Sequence, residues 1–219
     1  MCHGRVNTRL PVLERRARLV DAALAVAEQD GIAAMTVRRV AEQAGVALGV
    51  VHYCFADKDE LLDALASRIV DDLTGAGSAA LDDAPDIATA LAAAVDGLWA
   101  GIEQSAGTQL LTYEITTHAL RTPGLRAVAD RQYAASQAAA ERLLTLVGSA
   151  AGASWRRPVA DLAAEALAFV DGVTLRWLVD GDATAARARL ASFANYLATQ
   201  AKPSRRRSSR PHHRDGFRR

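Results

Sequence analysis

The 219-residue sequence contains little cysteine and no uninterrupted hydrophobic segment of transmembrane length. Its two cysteines, Cys2 and Cys54, are too few for a disulfide framework and favour a reducing compartment such as the cytoplasm. The first ten residues contain no apolar run, so we expect no signal peptide. The most apolar segment, Val159–Val179, contains four charged residues, which indicates a buried helix rather than a membrane span.

Aromatic residues are also scarce, at 5% of the sequence, whereas hydrophobic residues of all kinds make up 50%. Much of this hydrophobic content is alanine, which favours helices, and residues that favour strands are not clustered. The sequence therefore predicts an all-α fold. A chain of this length can bury a core for one large or two small domains without a metal or a disulfide.

The net charge is only +1, but the charges are unevenly distributed. Residues 1–56 hold seven basic and five acidic side chains, residues 57–201 hold eleven and nineteen, and residues 202–219 hold eight and one. An acidic central part between two basic ends suits a small contact with nucleic acid attached to a separate acidic body. Residues 202–219 are predicted to be a disordered basic tail. Such a tail either adds to DNA affinity or is only a solvated extension.

About nine helices are predicted from the spacing of apolar residues and from capping residues. Their approximate ranges are 14–29, 37–44, 47–53, 58–75, 87–103, 107–120, 123–147, 158–180 and 183–199. Thr36 and Asp57 are predicted to cap the N-termini of the second and fourth helices, and Gly31 to end the first. Thr122 followed by Pro123 is predicted to open the seventh helix.

The second and third helices are short and are joined at Gly45-Val46, which is typical of a helix-turn-helix. In that motif the second of the two helices enters the major groove of DNA. We therefore divide the chain into four parts: a flexible N-terminal arm (1–13), a three-helix domain with the helix-turn-helix (14–56), a larger helical domain (57–201) and the basic tail (202–219).

The segment TVRRVAEQAGVALGVVHYCFADKDELL, residues 36–62, resembles the DNA-binding domain of the TetR family of transcriptional regulators. In the larger domain, QLLTYEITTHAL, residues 109–120, is similar to the betaine-regulator branch of that family. The resemblance implies a homodimer whose N-terminal domains bind operator DNA. It also implies that the C-terminal helical domain mediates dimerisation and binds a small molecule, which usually releases the protein from DNA.

Nine residues are candidates for DNA contact under this interpretation. They are Thr36, Arg38, Ala47, Leu48, Gly49, Val50, His52, Tyr53 and Lys58. The sequence departs from the family pattern at Ala47, where a capping Ser or Thr is common, so about 1 kcal/mol of capping is missing. Because Leu48 also replaces a polar residue, we expect selectivity from thymine methyl contacts, from His52 and Tyr53, and from half-site spacing. The alternative is that the third helix is an ordinary surface helix.

Eight residues of the larger domain are candidates for a ligand site. They are Trp99, Ile102, Leu110, Tyr113, Glu114, Thr117, His118 and Phe169. We expect them to converge on one apolar interior, where the carboxylate of Glu114 would favour a cationic ligand. The alternative is that these side chains only fill the core. The chain contains Glu-x-x-x-His once, which falls short of a di-iron pattern, so we expect no metal and no cofactor.

The eighth predicted helix is apolar nearly all round, so both of its sides should be buried. One side belongs to its own domain, and we expect the other to pack with the ninth helix against a second copy of the chain. The predicted dimer residues are Leu162, Ala166, Val170, Val173, Trp177, Leu190, Phe193 and Leu197.

The function predicted from these features is a ligand-responsive DNA-binding regulator, most simply a repressor that binds a palindromic operator as a dimer. The sequence shows no phosphate-binding loop and no Ser/His/Asp arrangement at a recognisable spacing, so we expect no enzyme and no membrane partner. Two alternatives remain open, a ligand-independent architectural DNA-binding protein and a helical enzyme.

Overall fold

The computed structural model describes residues 11–78 and 84–203, and within them the regular secondary structure is helical apart from one small sheet. The helices are α1 (Val12–Asp30), α2 (Val37–Ala44), α3 (Leu48–Cys54), α4 (Lys58–Ser78), α5 (Ile87–Gln104), α6 (Ala106–Arg121), α7 (Arg126–Ala150), α8 (Val159–Asp180) and α9 (Ala183–Thr199). Two three-residue strands, β1 (Ala153–Trp155) and β2 (Ala201–Pro203), pair antiparallel. The prediction of an all-α fold is confirmed.

Local capping explains why α2, α3 and α4 begin and end where they do. The Thr36 hydroxyl accepts from the main-chain N–H of Arg39 at 3.2 Å, as predicted for the N-cap of α2. Gly45 then adopts the left-handed conformation, with φ 66° and ψ 33°, which glycine reaches at little cost. Asp57 accepts from the N–H of Glu60 at 2.8 Å and caps α4. By contrast, the N-cap residue of α3 is Ala47, which provides no side-chain cap.

The three N-terminal helices share one hydrophobic core with parts of α4, α6 and α7. Val40, Val51 and Phe55 of the helix-turn-helix are all buried in it. The same cluster includes Leu61 of α4 and Leu111 of α6. The N-terminal helices are therefore packed directly onto the larger domain rather than attached through a linker.

Several predicted boundaries differ from those observed. Helix α7 begins at Arg126 rather than Pro123, because Gly124 has φ +88° and the N–H of Leu125 donates to Thr122 in a turn. β1 lies in a segment predicted to be a loop, and its Trp155 indole N–H donates to the Leu144 carbonyl at 3.0 Å.

The predicted arm and tail lie mostly outside the described residues. At the end of the arm, residues 12–13 are already helical, so the predicted limit at residue 13 is wrong. At the start of the tail, residues 202–203 belong to β2 and are not disordered. None of the helices in the described ranges combines the length and the apolar character needed to cross a membrane.

Candidate DNA-binding face and ligand cavity

Helix α3 presents one face to solvent and packs the other into the core. Val51 and Cys54 are buried, whereas Gly49, His52 and Tyr53 are exposed. Leu48 and Ala47 are also exposed and Val50 is half-buried, so the predicted candidates on this helix lie on its accessible side. Their contact with DNA remains a prediction.

The three remaining candidates on the DNA side, Thr36, Arg38 and Lys58, lie at the starts of α2 and α4. Thr36 is exposed while it caps α2, and Lys58 is half-buried in the first turn of α4. Arg38 and its neighbour Arg39, which was not a candidate, differ in their partners. Arg39 bonds to Asp30 of α1 at 2.7 Å, and this carboxylate raises the pKa of Arg39. Arg38 pairs only loosely with Glu42, at 3.3 Å on an exposed surface, so it is the arginine better placed to contact a phosphate.

Two arginines of α1 support the end of α3, and sequence reasoning did not assign them to the site. The guanidinium of Arg15 lies 5.7 Å from the ring centroid of Tyr53, and that of Arg16 lies 4.2 Å from Phe55. Arg16 also donates to the Cys54 carbonyl and, at 2.8 Å, to Glu60. The basic run ERRAR at the start of α1 was the sequence signal that could have assigned these two arginines to the site.

A cavity of about 170 Å³ lies between helices α4 to α9 of the larger domain. Its walls are mainly aliphatic, with contributions from Ile69, Leu91, Leu98, Leu143, Val147, Leu167 and Val170. Polar groups reach it from Gln109, Thr112, Tyr113, Ser136 and Thr174. Among the described residues that line it, Asp171 alone carries a charge. An apolar cavity with a few placed polar groups is the usual form of a small-molecule site.

Asp171 of α8 is held by two tyrosines. The Tyr133 hydroxyl donates to its carboxylate at 3.1 Å, and the Tyr113 hydroxyl donates to its main-chain carbonyl at 3.1 Å. Burial raises the pKa of the Asp171 carboxyl, and the tyrosine hydroxyls oppose this shift only in part. Burial also raises the pKa of Tyr113, with the nearby Asp171 charge as the second cause. The carboxylate therefore lies where its charge is poorly solvated.

Only two of the eight predicted ligand residues, Ile102 and Tyr113, line this cavity. Trp99 is fully buried behind the wall and packs edge-to-face on Trp177 at 5.2 Å between ring centroids. Phe169 stacks on Phe193 at 4.4 Å. The predicted convergence of all eight side chains is therefore wrong.

The other four predicted ligand residues lie on the remaining sides of α6. Leu110 and Thr117 are exposed, and His118 is half-buried away from the cavity wall. Glu114 accepts a hydrogen bond from the Ile32 N–H at 3.2 Å, in the turn between α1 and α2. One helical step of about 100° separates Glu114 from Tyr113, so the two neighbours face different partners. The charged group at the cavity is Asp171, which the sequence reasoning missed.

The predicted dimer residues lie on the inner face of α8 and α9. Leu162, Val173, Leu190 and Leu197 are buried within the chain. Ala166, Val170 and Phe193 line the cavity, and Trp177 packs on Trp99. The four buried side chains have no surface left for a partner, so they are wrong as interface residues. The other four are only half-buried, and their place in a dimer contact stays a prediction.

Models of two families match the chain. One describes bacterial regulatory proteins of the TetR family and matches residues 19–65. The other describes a tetracyclin repressor-like C-terminal domain and matches residues 82–200. Together they cover the helix-turn-helix and most of the larger domain.

Three relatives are similar along most of their length. The regulator BetI of Paraburkholderia xenovorans is 30% identical over 84% of this chain and 91% of its own. The nicotine-responsive repressor HdnoR of Paenarthrobacter nicotinovorans is 27% identical over 78% and 88%. The multidrug binding protein EbrR, solved with imidazole, is 29% identical over 81% and 93%, with a TM-score of 0.55. The structure of EbrR with ethidium is 27% identical over 81% of this chain and 97% of its own, with a TM-score of 0.55.

Proposed function

Because the chain belongs to the TetR family of bacterial transcriptional regulators, we propose that it is a ligand-responsive repressor that binds a palindromic operator as a homodimer. The family and the named relatives are regulators and not enzymes, so no reaction is assigned. The observation that carries the proposal is the exposed side of α3, which is held out from a buried three-helix core. A repressor of bacterial operators would work in the cytoplasm.

Direct reading of bases would rest on few groups. Leu48 and Val50 offer apolar surface to thymine methyl groups, and His52 and Tyr53 offer polar atoms to base edges or phosphates. Gly49 adds no side chain, so the backbone of α3 can approach the groove closely. Arg38 and Lys58 would contact phosphates on either side.

A dimer contact is best supported on the outer side of α8. Five exposed residues repeat there at intervals of three or four: Ala164, Ala168, Gly172, Leu175 and Val179. We call this set the α8 stripe. Its small residues allow close helix packing, while Val179 is 80% exposed and Leu175 is 48% exposed, so the stripe offers a continuous apolar surface that a partner could cover. A symmetric contact would bury this surface in both copies.

Two helices connect the cavity with the DNA-binding domain. Helix α4 lines the cavity with Ile69 and packs Leu61 into the core of that domain. Helix α6 lines the cavity with Tyr113, and its next residue, Glu114, accepts from the Ile32 N–H. A ligand that fits one placement of α4 and α6 better than another would change the spacing of the two α3 helices. The nicotine-responsive and ethidium-bound relatives support a small organic molecule in this role.

The proposal is tested by DNase footprinting on the DNA flanking the reading frame, at physiological salt, with three proteins. These are the wild type, Leu175→Glu in the α8 stripe, and Leu146→Glu on α7. Leu146 is the matched control, since it is also a leucine with 48% exposure. We expect the wild type and Leu146→Glu to be dimers and to protect one palindrome. In analytical ultracentrifugation, Leu175→Glu should sediment as a monomer, because the dimer contact would bury an unpaired charge at great cost. In the footprint, it should no longer protect the palindrome.

Two outcomes would contradict the proposal. The absence of any protected palindrome would refute operator binding. Equal protection and a dimeric mass for Leu175→Glu would refute the α8 stripe as the interface.

A further inference from the structure

We propose that the cavity binds an organic cation, with its positive centre against the carboxylate of Asp171 and between Tyr113 and Tyr133. This inference rests on the proposed function, because it names the chemical class of the ligand that the regulator would sense. Asp171 takes the role that the sequence had suggested for Glu114, the acidic group of the ligand site, since Glu114 contacts the turn between α1 and α2 instead.

The carboxylate of Asp171 has no counter-charge among the described residues. Among the described residues, every salt bridge joins other groups, and no lysine, arginine or histidine pairs with Asp171. The carboxylate accepts from the neutral hydroxyl of Tyr133, and the Tyr113 hydroxyl bonds to the main-chain carbonyl of the same residue. A partly buried carboxylate without a counter-charge costs folding free energy. A bound cation would remove that cost, whereas an anionic ligand would add to it.

The size of the cavity and the composition of its walls also suit an organic cation. The cavity of about 170 Å³ is similar in size to the roughly 150 Å³ cavity that holds one benzene molecule, so a single ring with a small charged substituent fits. Tyr113 and Phe193 line the cavity, and aromatic rings attract organic cations through their faces. The remaining surface is mainly aliphatic, which suits the apolar part of such a ligand.

Asp171 lies at an edge of the cavity. It also lines a shallow surface groove between α7 and α8, together with Tyr133, Gln137 and Leu167. The carboxylate therefore lies between the inner cavity and the groove. A ligand bound here would place its charged end toward this groove and its apolar end among the inner side chains.

The test uses two ligands of nearly equal shape. Benzyltrimethylammonium carries a permanent positive charge, and neopentylbenzene has carbon in place of the nitrogen. Their dissociation constants are measured by isothermal titration calorimetry for the wild type, Asp171→Asn and Asp161→Asn. Asp161 is the matched control, because it is an exposed aspartate on the same helix and does not line the cavity.

We expect the wild type and Asp161→Asn to bind the cation at least tenfold more tightly than its neutral counterpart. Asp171→Asn should lose this preference while its affinity for neopentylbenzene is unchanged, which shows that the cavity is intact. A wild type without cation preference would overturn the proposal even if Asp171→Asn did not fold. Preference retained in Asp171→Asn would overturn it as well. Operator binding, measured on the same preparations, separates the two claims, because intact operator binding without cation preference refutes only this inference.

Discussion

Among single residues, Tyr53 tests the DNA-binding face most directly. It is 68% exposed, and its ring lies beside the Arg15 guanidinium. We expect Tyr53→Ala to weaken operator binding about tenfold, which is about 1.4 kcal/mol, because one polar contact and one aromatic surface are lost. Tyr53→Phe separates the hydroxyl from the ring, and Gln104→Ala, at an exposed position on α5, is the control. Electrophoretic mobility shifts on the footprinted operator provide the measurement.

An unchanged operator affinity in both Tyr53→Ala and His52→Ala would contradict the assignment of α3 as the reading helix. Neither variant should alter thermal unfolding, because both side chains are exposed and make no buried contact. A loss of stability would instead indicate that these residues hold the domain together.

Residue exposure on α3 was predictable from the sequence, whereas the acidic group of the cavity was not. The side of α3 that is buried follows from the helical period and from local caps such as Thr36 and Asp57, which act within one turn. The choice between Glu114 and Asp171 depends on how α6 and α8 are rotated against their neighbours. Tertiary packing sets that rotation, and local spacing does not encode it.

At the scale of secondary-structure elements, α8 shows the same limit more clearly. Apolar residues occur nearly all round it, so its pattern predicts burial but not which side faces the chain's own core. Of the α8 residues assigned to a partner, Leu162 and Val173 are buried within the chain, and Ala166 and Val170 line its cavity. The strands β1 and β2 were missed because three residues are too short to show an alternating pattern.

Helix α6 is the element on which coupling between cavity and DNA-binding domain can be tested. We expect Glu114→Ala to bring the ratio of operator affinities with and without benzyltrimethylammonium closer to one, because the acceptor for the Ile32 N–H is lost. Thr117→Ala is the control on the same helix, since its hydroxyl bonds only to carbonyls of α6. The ratio is measured by fluorescence anisotropy of a labelled operator.

Two results would count against this role of Glu114. A ratio equal to that of the wild type would show that coupling does not pass through the contact. A weaker affinity of Glu114→Gln for the cation, measured without DNA, would show that Glu114 belongs to the ligand site, as the sequence had predicted.

At the scale of the whole molecule, the uneven charge distribution agrees with the different roles proposed for the two domains. The segment 57–201, which is rich in acidic residues, forms the domain that would bind a cation. The segment 1–56 has a net positive charge and contains the face proposed for DNA. The two parts share one hydrophobic core through α4 and α6. A packed core transmits small displacements rather than absorbing them, so occupancy of the cavity can alter the placement of α3.

The central claim, that a ligand in the cavity controls DNA binding, is tested most directly by one titration. A fluorescent operator duplex bound by wild-type protein is titrated with benzyltrimethylammonium at constant ionic strength, and the anisotropy is recorded. We predict release, with operator affinity falling about tenfold at saturation, as expected for a coupling of ordinary size. An operator affinity that stays unchanged while calorimetry shows the cavity to be saturated would contradict the account.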